Sequence, residues 1–160
     1  MDEFRRFADL TKSGGPYAGT APSDVVYALA ALAGGNDIEA SHVWYTSEGR
    51  ETTWVGLWLV PAGLIYVTAA YNEPNWTGTR ESNAGRRRPS IFLSWYRRTA
   101  DIKAIGINSI DGGSDPAGKQ LVLHGEAVLE LEGKPWQLTV KFGDAGSGAS
   151  ELLTKLRDRL

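Results

Sequence analysis

A chain of 160 residues with a net charge of -2 and no cysteine suits one domain, and can bury roughly 70% of the surface that its unfolded form exposes, without a disulfide or a metal to hold it. The missing cysteines exclude a disulfide framework, thiolate metal sites and thiol nucleophiles, and the near-neutral balance excludes the basic footprint of bulk nucleic-acid binding. The first ten residues, MDEFRRFADL, mix acids and arginines where a signal peptide needs an unbroken apolar run, and no stretch approaches the ~20 apolar residues of a membrane-crossing helix, so a cytoplasmic chain without membrane insertion is expected.

Phe4, Phe7 and Leu10 recur at helical spacing, with Asp2 and Glu3 in the first turn and Gly14-Gly15 beyond the end, which predicts a short amphipathic helix. After a Gly/Pro linker, Pro22-Ser23-Asp24 opens a second helix, capped by Ser23 or Asp24, that runs through VVYALAALA to a stop at Gly34-Gly35. A strand starting at Val25-Val26 is the alternative. Residues 1–35 thus form a helical cover, and residues 36–160 a β domain. Ile38 to Thr46 reads as a strand that turns at Ser47 to Arg50 into the stretch TWVGLWLV, Pro61-Ala62-Gly63, LIYVTAAY. Two β-rich apolar runs around a Pro/Gly turn are the sequence form of a hairpin. Pairing Val60 with Leu64 puts Val55, Leu57, Leu59, Ile65, Val67 and Ala69 on one face and Trp54, Trp58, Tyr66 and Ala70 on the other. That aromatic face needs a cover, and the second helix, apolar nearly all round, needs a surface.

Asn72 to Pro89 carries turn residues throughout, one large apolar side chain at Trp76, and the cations Arg80, Arg86, Arg87 and Arg88. Loops of this length without structure of their own are uncommon in compact domains and are often functional. Ser90 to Arg97 resumes as strand, Thr99 to Ile102 is a corner, and AIGINSI is a further strand bounded by Asp111-Gly112-Gly113. In Leu121 to Glu132 the residues Leu121, Leu123, Ala127, Leu129 and Leu131 face the core, while His124, Glu126, Glu130 and Glu132 face water. Gly133-Lys134-Pro135 turns into a partner strand with Trp136, Leu138, Val140 and Phe142 inward. The last element is a helix capped by Ser147, with a stripe of Leu152, Leu153, Leu156 and Leu160.

About seven up-and-down antiparallel strands followed by one amphipathic helix give a mainly β (α+β) class, as two packed sheets or a partly open barrel with a capping helix. The stretches VPAGLIYVTAAY (60–71) and RRTADIKAIGI (97–107) resemble the pleckstrin-homology superfold in its bacterial PH-like and GRAM-like branch, over Ile38 to Leu160. The resemblance implies a PH-like fold and a binding role. It does not extend to inositol-lipid binding: the first strand-turn-strand carries only Arg50 where such binders have several cations, and the last helix has no tryptophan.

Few side chains point to chemistry. Gly143 to Gly148 precedes a helix but lacks the spacing of a phosphate loop. His42 and His124 are the only histidines, and His124 beside Glu126 has no companion nucleophile. Asp111 to Asp115 lacks the downstream acid of a calcium loop. The expected function is therefore a non-enzymatic protein-interaction or scaffold module without cofactor or metal, and no nucleic-acid partner. Its partner is another protein or a second copy in a homodimer, met by the loop residues Trp76, Arg80, Arg86, Arg87 and Arg88. The alternative is a small-molecule binder or enzyme with an aromatic-lined pocket in a curved sheet, built on the aromatic face of Trp54, Trp58 and Tyr66.

Overall fold

The computed structural model describes residues 2–13, 19–133, 137–143 and 148–160. Its centre is the predicted hairpin, β2 (Glu51–Val60) and β3 (Gly63–Tyr71), but the register differs by one from the expected pairing. Val60 lies opposite Gly63, so the turn is the pair Pro61-Ala62. Gly63 belongs to the ladder because the Tyr96 ring covers it, 2.4 Å from where a Cβ would sit. A slip of one residue exchanges the faces of a strand. Ile65, Val67 and Ala69 therefore join Trp54 and Trp58 in one core, and Tyr66 joins Leu57 and Leu59 in another.

The hairpin is flanked by β1 (Ala40–Glu48) and β4 (Ile91–Arg98) in an antiparallel sheet of order β1-β2-β3-β4. The face bearing Trp54 and Trp58 is covered by α1 (Glu3–Asp9) and α2 (Ser23–Ala33), which contribute Phe7, Val25, Val26, Leu29 and Ala33. The indole N-H groups of Trp54 and Trp58 also find main-chain acceptors: Trp58 donates to the Leu10 carbonyl at 2.8 Å and Trp54 to that of Trp76 at 2.7 Å. These bonds tie the end of α1 and the connection after β3 to the sheet, so burial and polar satisfaction agree on one docking of the cover. Gly56 makes room for the Trp58 ring, which would lie 2.0 Å from a Cβ there. At α2 the expected cap is replaced. Pro22 takes the N-cap position without a side-chain bond, and the Ser23 N-H donates to the Glu81 carboxylate at 3.0 Å. Gly34, at φ 56°, ends the helix as predicted.

A 3-10 turn at Thr99–Asp101 leads into the second antiparallel sheet, β5 (Ile102–Ser114), β6 (Leu121–Leu131) and β7 (Gln137–Phe142). Its near half packs Ile102, Leu129, Leu131 and Val140 on Leu57, Leu59 and Leu64 of the first sheet, with Leu152 and Leu156 of α4 (Ala149–Arg157). Leu160 lies beyond α4 and is exposed, so the predicted stripe ends at Leu156. Asp111 to Ser114 continues β5 where a turn was expected, paired with Leu121 to His124. Leu121 and Leu123, expected in the core, are exposed. The reason is length: β7 has 6 residues and pairs only as far as Gly125, so the 13-residue β5 and its partner outrun it as a two-stranded arm. The expected cap Ser147, the inward Trp136 and the turn at Lys134-Pro135 lie outside the described residues.

Candidate functional site: the arginine recess and the edge of β4

The connection from Asn72 to Pro89 is built rather than loose. Thr52 Oγ1 donates to the Glu73 carbonyl at 2.6 Å and accepts from the Trp76 N-H at 2.9 Å, which pins the start of the connection to β2. Trp76 is fully buried, against the expectation that it stands out as an anchor. It packs beside Tyr71 because its neighbours in sequence, Pro74 and the positive-φ Asn75, turn the chain back over the sheet. Then comes a short helix, α3 (Gly78–Ala84), N-capped by Thr77. Gly78 approaches the Thr20 and Ala21 backbone so closely that a Cβ would collide, and its N-H donates to the Thr20 carbonyl at 2.9 Å. Arg80 and Arg87 lie over the Trp76 ring at 5.8 and 5.6 Å. Two of the four predicted cations thus shield the residue that was to act beside them.

Arg86 has a partner that sequence reasoning missed. It donates to Asp24 Oδ1 at 2.6 Å, while the buried Tyr71 hydroxyl donates to Asp24 Oδ2 at 3.0 Å. Burial, then the nearby Asp24 charge, push the Tyr71 phenol well above its ordinary value, and the hydrogen bond to Asp24 raises the Arg86 guanidinium. Arg87 pairs with Glu73 at 3.6 Å. Arg88 forms no ion pair with any described residue. Asp24, Arg86, Arg87, Arg88, Pro89 and Phe92 line a recess of about 480 Å³ in which Arg88 is the unmatched charge. The signal for Asp24 was local: an acid in the first turn of a helix, read as a cap, was equally placed to meet a distant cation.

The recess opens at the start of β4, and this strand is the feature the sequence reading passed over. Ile91, Phe92 and Leu93 are 59, 46 and 48% exposed. Three consecutive apolar residues in a strand put apolar groups on both faces, and at a sheet margin neither face is fully covered. The backbone is open as well. Val60 and Gly63 flank a two-residue turn, and the Thr99 N-H donates to the Ala62 carbonyl at 3.1 Å, so the alternation of an antiparallel ladder directs Ile91, Leu93, Trp95 and Arg97 to β3. Phe92, Ser94 and Tyr96 turn their N-H and C=O groups outward, and these groups have no main-chain partner among the described residues. On the face toward the second sheet, Trp95 stacks on Tyr66 at 5.1 Å with the Arg97 guanidinium over its ring, and its indole N-H has no acceptor among the described residues.

The remaining candidates stay apart. Trp54 and Trp58 are core. His42 is buried and stacks on Trp44 at 4.4 Å. His124 borders an open cavity of about 320 Å³ with Asp111, Lys141 and Phe142, while Glu126 accepts from the Asn108 amide at 2.9 Å rather than pairing with His124. Among the described residues no group of three or more His, Asp or Glu could hold a metal ion, and no helix is long and apolar enough to cross a membrane. Compared with known proteins, the chain matches no family model, no curated protein and no solved structure.

Proposed function

We propose that this chain is a non-catalytic protein-interaction module on a PH-like framework, cytoplasmic, with its binding surface on the side where β4 and β5 leave both sheets unpaired. The framework reading is supported by the sequence of four strands, three strands and a helix that closes the opposite side. The observation that carries the function is the exposed apolar side chains of these strands: Ile91, Phe92 and Leu93 on β4, with Ile107 and Ile110 on β5 and Leu121 and Leu123 on β6, are all more than two-fifths exposed. Large exposed apolar patches rimmed by polar groups mark interaction surfaces. Catalysis draws less support, since one histidine is stacked within the fold and the other lacks its carboxylate.

A second reading, a small apolar ligand held between the sheets, rests on the half-buried Tyr66-Trp95 stack and the unpartnered Trp95 indole N-H. The two separate by experiment. Leu93→Asp with Leu123→Asp should leave the melting temperature within a few degrees and abolish capture of partners that the parent retains from a bacterial lysate. Identical partner sets for parent and variant would remove this surface from consideration.

A further inference from the structure

Resting on the interaction-module reading, we infer that the occupant of β4 is an extended peptide segment that adds as a fifth strand to the first sheet, carrying carboxylates at its ends. Strand addition needs a row of free main-chain groups, and Phe92, Ser94 and Tyr96 supply one. Along Ile91 to Tyr96 the devices by which edge strands usually avoid such pairing are missing: this stretch has no charged residue, no proline and no bulge in its register with β3, and the arginines stand only at its ends. The other edge of the same sheet is treated differently. Gly148, at the start of α4, lies so close to the Ser41 carbonyl of β1 that a Cβ there would come within 1.8 Å, and α4 covers this margin.

Charge selects the occupant. Arg86, Arg87 and Arg88 stand before β4, and Arg97 and Arg98 close it, so guanidinium groups flank both ends of the row. Asp24, Glu73 and Asp101 match Arg86, Arg87 and Arg98. Arg88 remains for a carboxylate in the recess that Phe92 also lines. An acid at each end of the incoming segment reaches that recess in either strand direction. A second copy of this chain meets the row less well. Antiparallel pairing about Ser94 sets Phe92 opposite Tyr96 of the other copy, but also sets Arg98 opposite Ser90, two residues from the other copy's Arg88, so like charges converge at both ends. Alternating side chains of the segment would meet Phe92 and Tyr96 on one face and Ile91 and Leu93 on the other.

The test uses the full chain and a synthetic peptide of alternating valine and threonine with aspartates at both ends, against the same peptide ended in lysines. Amide hydrogen exchange by NMR reads the pairing directly. The acidic peptide should slow exchange at Phe92, Ser94 and Tyr96 by at least about tenfold and leave Leu93 and Trp95, already bonded to β3, unchanged. The lysine-ended peptide should bind at least about tenfold more weakly, a difference that shrinks as salt is raised. Ser94→Pro removes an outward N-H that β3 does not use, so it should abolish binding in a chain that still melts cooperatively, and Arg88→Ala should weaken it without touching the fold. Binding that protects none of the three amides would overturn strand addition and leave the interaction surface in place. No binding of the acidic peptide at millimolar concentration would overturn the inference. Concentration-dependent protection of the same amides without peptide, with a dimer in sedimentation, would replace the peptide by a second copy.

Discussion

The two margins of this fold are built on opposite plans. On one side α4 fills the gap between β1 and β7, with Leu152 and Leu156 fully buried, Lys155 donating to the Glu39 carbonyl at 2.7 Å and Arg159 to that of Val60 at 2.6 Å. On the other side the chain passes from β4 to β5 through one short turn, and neither strand gains a second neighbour among the described residues. Both margins begin with the same problem, a row of main-chain groups beside apolar side chains. One is solved inside the chain; the other stays open among the described residues, as the proposed interaction role requires. A protein that needed only stability has no use for the difference.

The largest expected effect lies on the closed side. Leu156→Ala should cost about 2 to 5 kcal/mol in urea unfolding, because Leu156 is fully buried in the core that also holds Leu57, Leu129 and Leu152, and the vacated volume cannot collapse fully. The matching change on the open arm, Leu121→Ala, should stay within about 0.5 kcal/mol. Equal losses would erase the contrast between the margins. Next comes the cover on the outer face. Trp58→Phe keeps most of the apolar surface but leaves the Leu10 carbonyl without its indole donor, at a cost of about 1 to 3 kcal/mol. A loss confined to α1, seen as faster amide exchange there, would sharpen the account by separating the cover from the sheet.

A smaller, pH-dependent effect belongs to the corner where the cover meets β4. The Tyr71 phenol holds its proton more tightly in the folded chain than in the unfolded one, through burial and Asp24, and Tyr66 shifts the same way through burial. Such a group contributes fully below the ordinary tyrosine value of about 10 and loses its contribution as pH rises above it, since only the unfolded chain then sheds the proton. Stability should therefore fall above pH ~10, and Tyr71→Phe should flatten that fall relative to its own value at neutral pH. An unchanged slope would place the alkaline loss elsewhere.

The element order was legible in the sequence because the apolar periodicities are strong: both N-terminal helices, the central hairpin and the terminal helix stand near their expected bounds. What the periodicity did not settle was the register of the hairpin. Both of its faces are apolar, so a one-residue slip leaves an equally plausible pattern, and the Tyr96 ring over Gly63 that decides the matter comes from a distant strand. The arm misled for a related reason, since alternation in β6 says which residues share a face and nothing of whether a third strand reaches them. At the candidate site, the cluster of arginines was readable, but their partners Asp24, Glu73 and the Trp76 ring were not, because ion pairs between remote segments leave no local spacing.

The smallest expected effect on stability is also the most specific to the open margin. Ile91→Thr and Phe92→Thr remove exposed apolar groups and should each change unfolding free energy by no more than about 0.5 kcal/mol while lowering affinity for any partner at β4. The most direct measurement is amide exchange along β4 in the free, dilute chain. Leu93, Trp95 and Arg97 should exchange slowly, and Phe92, Ser94 and Tyr96 close to the rate of an unstructured peptide, a strict alternation along a single strand. Uniform protection of all six would mean that the edge of β4 is already occupied, and would contradict the open margin on which the functional reading stands.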